Sequence, residues 1–354
     1  MKYITLVLAV VLFSCNNSDK EEKKSQSHVK ESKSTARNVD SRKIKKAVKK
    51  NESGKNSIPV KNVNPLDNVV KPVARKSITK LLSSGNGKKQ KLRYRFAKTF
   101  NANMKILMKM GMGIVIDGKP LPKNTIPSME MVMNFKTIDV RKDGTLIYDF
   151  NTTKAYAAAT TGISPAQVEM TNKGLNAMVG FSGTVEVDSR GLTKKVDYRL
   201  PPNLPPHMKK SMQNIRQQIE NMGVAFPEEA IGVNGTWEVV SQIISEGLVI
   251  ENKATYKLVS LKGDTGSLEV TISQSAPAQK YPSTSLPPGI EMYLKDWKST
   301  GGGKVEFELT KPTVKSSAKM NMSMKNEVTQ KATGAKQNMD MTINIELSFA
   351  PEKN

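Results

Sequence analysis

Between Met104 and Asp117 the chain reads MKILMKMGMGIVID, and the even positions Met104, Ile106, Met108, Met110, Met112, Ile114 and Ile116 are all apolar. The odd positions mix Lys105, Lys109, Gly111, Gly113 and Asp117 with Leu107 and Val115. Side chains alternate across a strand, so a period of two predicts a strand with one continuous apolar face. A helix would scatter the same residues around its axis. The pattern recurs at Met129, Met131, Met133 and Phe135, and again at Met320, Met322 and Met324. It returns once more at Met339, Met341, Ile343, Ile345, Leu347 and Phe349.

Turn signals divide the rest into hairpins. Asp143-Gly144 separates two apolar runs, and Ser189-Arg190-Gly191 separates Val185 and Val187 from Val196, Tyr198 and Leu200. The segment YKLVSLKGDTGSLEVTI repeats the arrangement. Helical spacing places Met208, Met212, Ile215, Ile219 and Met222 on one face, after the boundary PPNLPPH and before a stop at Gly223. A second helix is expected over Pro165–Val179. Phe135–Phe150 aligns with Tyr256–Ile272, and Gly183–Asp188 with Gly303–Glu308, at nearly the same offset. The two pairs point to an internal duplication. The expected fold is mainly β with one or two helices: a duplicated antiparallel curved sheet or incomplete barrel covered by an amphipathic helix.

The amino terminus changes the picture from fold to location. In MKYITLVLAVVLFSC, Lys2 precedes an apolar run from Ile4 to Phe13, too short to span a bilayer and laid out as a secretory signal. Leu12-Phe13-Ser14-Cys15 resembles the lipobox of bacterial lipoproteins. That resemblance implies cleavage before Cys15, a diacylglyceryl thioether on its sulfur and an acyl group such as palmitate on its new amino terminus. Cys15 is the only cysteine, so no internal disulfide can form. Asn16 after the cysteine resembles the sorting position of outer-membrane lipoproteins, and Asp19–Lys24 resembles surface-export signals. The resulting division is a signal peptide at 1–14, the lipidated Cys and a disordered basic tether at 15–91, a first β-rich half at 92–200, a helix and connection at 201–235, and a second β-rich half at 236–350.

Charge concentrates in the tether. Residues 16–98 hold 24 Lys plus Arg against 7 Asp plus Glu, most of the chain's net charge of +23, and no aromatic residue occurs between Phe13 and Tyr94. Such composition buries too little apolar surface to offset chain entropy. A flexible coil of about 75 residues would span roughly 45–50 Å. Export and the lack of stacking aromatics argue against nucleic acid. Anionic headgroups or cell-wall polymers are the expected partners of the tether, beside a membrane held through Cys15.

The methionines raise a metal question. Met-x-Met places two thioethers on one strand face, where they could reach Cu(I). Each stripe, however, continues into Ile, Leu or Phe in the same register, which makes it part of a buried apolar surface. Thioethers are flexible and polarizable, and suit surfaces that must accommodate variable shapes. An enzyme is not expected. His207 precedes a helix alone, Glu186, Asp188 and Asp197 lie in hairpins, and there is no Gly-x-Ser-x-Gly elbow or His-Glu-x-x-His. STGGGK contains loop residues but leads into a strand, without the helix a phosphate-binding loop needs.

FPEEAIGVNGTWEV (Phe226–Val239), the strand carrying Tyr256 and Leu258, and the late GGGKVEFE resemble an uncharacterised family of bacterial envelope lipoproteins, over about residues 92–350. More distantly the chain is similar to periplasmic lipid or lipoprotein carriers of the LolA and LprG kind, which implies a curved, incompletely closed sheet with helices over an apolar concave face. The expected function is a non-catalytic, outer-membrane-tethered lipoprotein on the periplasmic or surface side. It would bury a lipid or acyl chain against Met108, Met110, Met112, Met131, Met133, Met320 and Met322, under a helix presenting Met208, Met212, Ile215 and Ile219. No cofactor or metal is expected. A ligand-free structural or protein-interaction lipoprotein is the alternative, and methionine-based Cu(I) binding a minor one.

Overall fold

The computed structural model describes residues 77–352 except 123, 159–161, 203, 205–223, 246, 283–285 and 313. The Met208–Met222 helix, the signal segment, Cys15 and most of the tether lie outside the described residues. In chain order the strands are β1 (Ile78–Ser83), β2 (Asn86–Gln90), β3 (Asn101–Ile116), β4 (Lys119–Pro120), β5 (Asn124–Thr125), β6 (Ser128–Val140) and β7 (Leu146–Ala158). Helix α1 (Pro165–Asn176) follows, then β8 (Ser182–Val187), β9 (Thr193–Arg199), β10 (Ile231–Val233), β11 (Thr236–Ser245) and β12 (Leu248–Lys262). The chain ends with β13 (Thr265–Ala276), β14 (Gln279–Lys280), β15 (Ile290–Glu308), β16 (Val314–Gln330) and β17 (Lys336–Pro351).

Two antiparallel meanders make one large curved sheet. Neighbours run β1-β11-β12-β13-β15-β16-β17-β3-β6-β7-β8-β9, with β4, β5 and β14 as short additions and β2 paired separately with β10. The first meander is β3 to β9 and the second β11 to β17. Pairing of β17 with β3, from Met339↔Ile116 to Pro351↔Met104, joins them. The sheet does not close into a barrel; β1 and β9 are its two edges. The hairpins that resemble each other in sequence, β6–β7 and β12–β13, are each followed in the sheet by the strand of the second matched pair, β8 and β15.

Local chemistry sets the turns. Asp117 and Gly118 take positive φ (46° and 79°), the left-handed conformation a two-residue hairpin turn requires, which Gly adopts without steric cost. The Asp117 carboxylate accepts from the Asn338 backbone N–H at 2.8 Å, tying this turn to β17. Helix α1 starts at a capping box: the Ser164 hydroxyl accepts from the Gln167 N–H, and the Gln167 side chain accepts from the Ser164 N–H. Pro165 occupies the first helical turn, where its missing N–H costs nothing.

Two irregular segments plug one end of the sheet's apolar face. The Tyr94 N–H donates to Ser189 O in the β8–β9 turn, while the Arg95 and Ala97 N–H groups donate to Leu309 and Thr310 after β15. Residues 94–97 thus strap the first meander to the second. Val224–Phe226 runs beside them, with Phe226 N–H on Arg190 O at 2.8 Å. Tyr94 stacks on Phe96 with ring centres 4.9 Å apart, Phe226 lies 5.0 Å from Tyr94 and 5.3 Å from Phe307, and Trp237 stacks on Tyr256 at 5.4 Å. Burial pushes the Tyr94 and Tyr256 phenols well above the ordinary tyrosine range.

The structure corrects two expectations. Residues 78–83 and 86–90, assigned to the tether by charge, are strands. The β11 edge supplies hydrogen bonds to β1 and β10 supplies them to β2, and Leu81 falls opposite Trp237. Second, Gly301–Gly303, taken as loop residues, lie inside the 19-residue strand β15. A Cβ on Gly303 would lie 2.0 Å from Ser317 O, and one on Gly301 2.4 Å from Lys319 O. Backbones approach too closely there for any side chain, so the run of glycines marks close strand packing.

Candidate functional site

The apolar stripes fall on one face of the sheet in transverse rows. Met322 of β16 sits opposite Ile343 of β17, which sits opposite Met112 of β3. The next row is Met320–Ile345–Met110, and the next Ala318–Leu347–Met108–Met129, reaching β6. Beyond them Ile106 meets Met131, and Met104 meets Met133. The seven strand methionines expected from the sequence therefore share one surface. They form two groups, because β17 inserts a stripe of Ile343, Ile345 and Leu347 between β16 and β3. Met208, Met212, Ile215 and Ile219 lie outside the described residues.

Exposure grades along this surface. Met104 and Met108 are 1% exposed and Met320 3%, whereas Met110 reaches 9% and Met324 8%. Met112 and Met341, further along in the same direction, are only partly buried. The aromatic plug fills the opposite end. Apolar side chains thus become more accessible along β3, β16 and β17 toward the β3–β4 turn.

Two polar groups interrupt the apolar lining. Trp297 and Ser299 on β15 lie opposite Met324 and Met322. Trp297 is 6% exposed and Ser299 1%, yet neither the indole N–H nor the hydroxyl has a hydrogen-bond partner. A buried donor left unpaired is costly, which makes such groups natural contacts for an oxygen-bearing guest. The sequence reading missed both. The indication available was a Trp and a Ser two apart just before three glycines in the same strand, and pairing with the methionine strand is not encoded locally.

The opposite face is charged. Lys319 and Lys325 of β16, Asp340 and Glu346 of β17, and Lys109 of β3 are all exposed. The Lys105 ammonium is ion-paired with Glu130, which also accepts from the Tyr156 hydroxyl at 2.7 Å. Hydrogen bonding from Lys105 first, then from Tyr156, holds the Glu130 carboxyl below its ordinary value of 4.5, against the opposing effect of burial. The Lys105 ammonium is raised above 10.5, chiefly by the same bond. A depressed carboxyl contributes stability above its unfolded pKa and loses it as pH falls through the folded one; a raised ammonium loses its contribution as pH climbs through its folded value. The stability gap between the parent chain and Glu130→Gln is therefore expected to be flat between about pH 5 and 10, and to shrink on either side. Urea midpoints across pH read it directly. A gap that persists unchanged at pH 3 would remove Glu130 from this role.

Expected carboxylates serve turns and ion pairs. Asp188 accepts from the Arg190 and Leu192 N–H groups at 2.9 Å each, and Glu186 pairs with Arg141 at 2.9 Å. Among the described residues no three His, Cys, Asp or Glu side chains come together as a metal site. Thioethers of neighbouring strands meet at Met104–Met133, Met108–Met129 and Met324–Met341, while β17 keeps Met320 and Met322 apart from Met110 and Met112. Among the described residues no helix is long and apolar enough to cross a membrane, which says nothing of strands.

No family model matches the chain, and no curated protein matches it. Among solved structures it is similar to OmpT (in-vitro folded), an outer membrane protein of Vibrio cholerae in its trimer form, at 6% identity over 70% of this chain and 99% of that one, with a TM-score of 0.17. A likeness at that score carries no argument about what the chain does.

Proposed function

We propose that this protein is an envelope lipoprotein, anchored through acylated Cys15, that binds a lipid or acyl chain without catalysis. The observation that carries the reading is the graded apolar face. Rows of Met, Ile and Leu continue from a plugged end toward partly exposed Met112 and Met341. Unpartnered Trp297 Nε1 and Ser299 Oγ, beside Met324 and Met322, would hydrogen-bond a carbonyl or carboxylate oxygen at the polar end of that chain. Asn16 supports outer-membrane residence as part of the same proposal. Cell-envelope polymers or anionic headgroups around the basic tether belong to it too.

The test is native mass spectrometry of the chain from Asn16 onward, expressed into a periplasm, so that β1 keeps its place on β11. An added mass that extracts into organic solvent is expected. Met112→Asp, which puts a charge on the partly buried end of the surface, should abolish that mass. Lys325→Asp on the opposite face should keep it. A clean mass for the parent chain, unchanged after incubation with envelope lipids, would return the methionines to a filled core. Met104 and Met108, each 1% exposed, already have that character.

A further inference from the structure

The polar face holds a depression of its own. About 380 Å³ of space lies over four adjacent strands, bounded by Leu107 and Lys109 of β3, Gly302 and Lys304 of β15, Ser317 and Lys319 of β16, and Glu346 and Ser348 of β17. Its floor comes from the register. One transverse row is Gly302–Lys319–Glu346–Lys109, and the next is Lys304–Ser317–Ser348–Leu107. Gly302 has no side chain and both serines are short, so the surface dips where long side chains would otherwise fill it. Long lysines stand around that dip.

The charges in the depression do not cancel. Lys319 and Glu346 pair at 2.6 Å. Lys109 lies near enough to Glu346 to help hold its carboxyl below the ordinary range, after the dominant contribution of Lys319. Glu346 therefore stays ionised and is spent on Lys319. Among the described residues Lys109 and Lys304 form no ion pair. Within the lining three lysines face one carboxylate, a surplus of two positive charges with the Ser317 and Ser348 hydroxyls between them, and Glu269 of β13, opposite Lys304, lies outside it.

We propose that this depression binds the phosphate group of an envelope molecule. Lys109 and Lys304 would approach it from opposite sides, the serine hydroxyls would donate to its oxygens, and Leu107 would pack against the carbon attached to it. Phosphate monoesters fit best, since their charge near neutral pH approaches −2 and matches the surplus. A phosphorylated lipid headgroup and a free phosphate ester share this chemistry. The site is on the face opposite the methionine surface and does not depend on an acyl ligand there.

Isothermal titration of the full-length protein in neutral detergent tests it, with inorganic phosphate and glycerol 3-phosphate as soluble probes and short-chain phosphatidic acid as a parallel lipid arm. Saturable binding of at least one probe is expected, weakened at least tenfold in Lys109→Gln/Lys304→Gln. Neither lysine is paired, so the variant should melt with the parent. Lys325→Gln, an exposed lysine of β16 outside the depression, should leave binding unchanged. Binding of inorganic phosphate or glycerol 3-phosphate would identify a free phosphate ester; binding of short-chain phosphatidic acid alone would identify the headgroup. No binding in either arm, or equal weakening by Lys325→Gln, would overturn the proposal. An organic-extractable mass belongs to the methionine face only where Met112→Asp abolishes it and Lys109→Gln/Lys304→Gln does not, so the two readings fail separately.

Discussion

Trp237→Ala is expected to cost about 3–5 kcal/mol, enough to unfold most domains of ordinary stability. The side chain is fully buried and stacks on Tyr256 at an interplanar angle of 14°. Its indole N–H donates to Ala225 O at 2.8 Å and so fixes the segment carrying Phe226. Phe226 in turn packs against Tyr94 and Phe307, one from the strap and one from β15. Loss of the indole leaves a cavity, an unpaired carbonyl and a loosened plug. Trp237→Phe separates these effects: it keeps much of the volume and forfeits the hydrogen bond, for an expected cost of about 1–3 kcal/mol. Denaturant midpoints of the three chains give the order. A Trp237→Ala chain within 1 kcal/mol of the parent, measured the same way, would mean that the plug holds without its indole.

The second large effect is a single methyl group. Gly303→Ala would place Cβ 2.0 Å from Ser317 O and 2.9 Å from Ala318 Cα, and both obstacles are backbone. Neither can swing aside, so β15 and β16 must separate locally. The expected loss is about 3 kcal/mol, at the upper end for overpacking. Gly301→Ala meets Lys319 O at 2.4 Å but also the flexible Met320 side chain at 2.6 Å, and should cost somewhat less. Gly302→Ala points to the other face, 3.0 Å from Val270 O, and should be milder still. Gly111→Ala, with nothing within 4 Å, should be neutral or slightly stabilising because it restricts the unfolded chain. Urea denaturation orders the four. Equal midpoints for Gly303→Ala and Gly111→Ala would contradict the close approach of β15 to β16.

Much of this could be read from periodicity, because a strand's face is a local property. The alternation from Met104 to Ile116 and from Met339 to Phe349 identified both strands and their buried sides. Asp143-Gly144 marked its hairpin for the same reason: its turn is decided by adjacent residues. Partnership is not local. Nothing in either stripe says that β17 lies between β16 and β3, so the methionines looked like one patch where the fold makes two groups. Gly301–Gly303 shows the limit most sharply. Glycine means loop to a local reading, while its reason here is the carbonyl of Ser317 on the neighbouring strand. The edge strand β1 was hidden by composition, since a lysine-bearing segment counts as tether until an unpaired edge such as β11 recruits it. Trp297 and Ser299 were invisible for a similar reason: lacking a partner is a property of surroundings.

The joining of the meanders through β17 and β3 also sets a timetable. A chain synthesised from its amino terminus presents β3 well before β17. Until the final 16-residue strand arrives, the methionines of β3 have β6 on one flank and no partner on the other, and those of β16 are likewise half-covered. Contacts this distant in sequence form slowly, and apolar strands that wait are prone to mispair. The folding protein therefore passes through a sticky interval that ends only when β17 pairs with both β16 and β3. Stop codons just before Lys336 should be far more damaging than the small fraction of chain they remove.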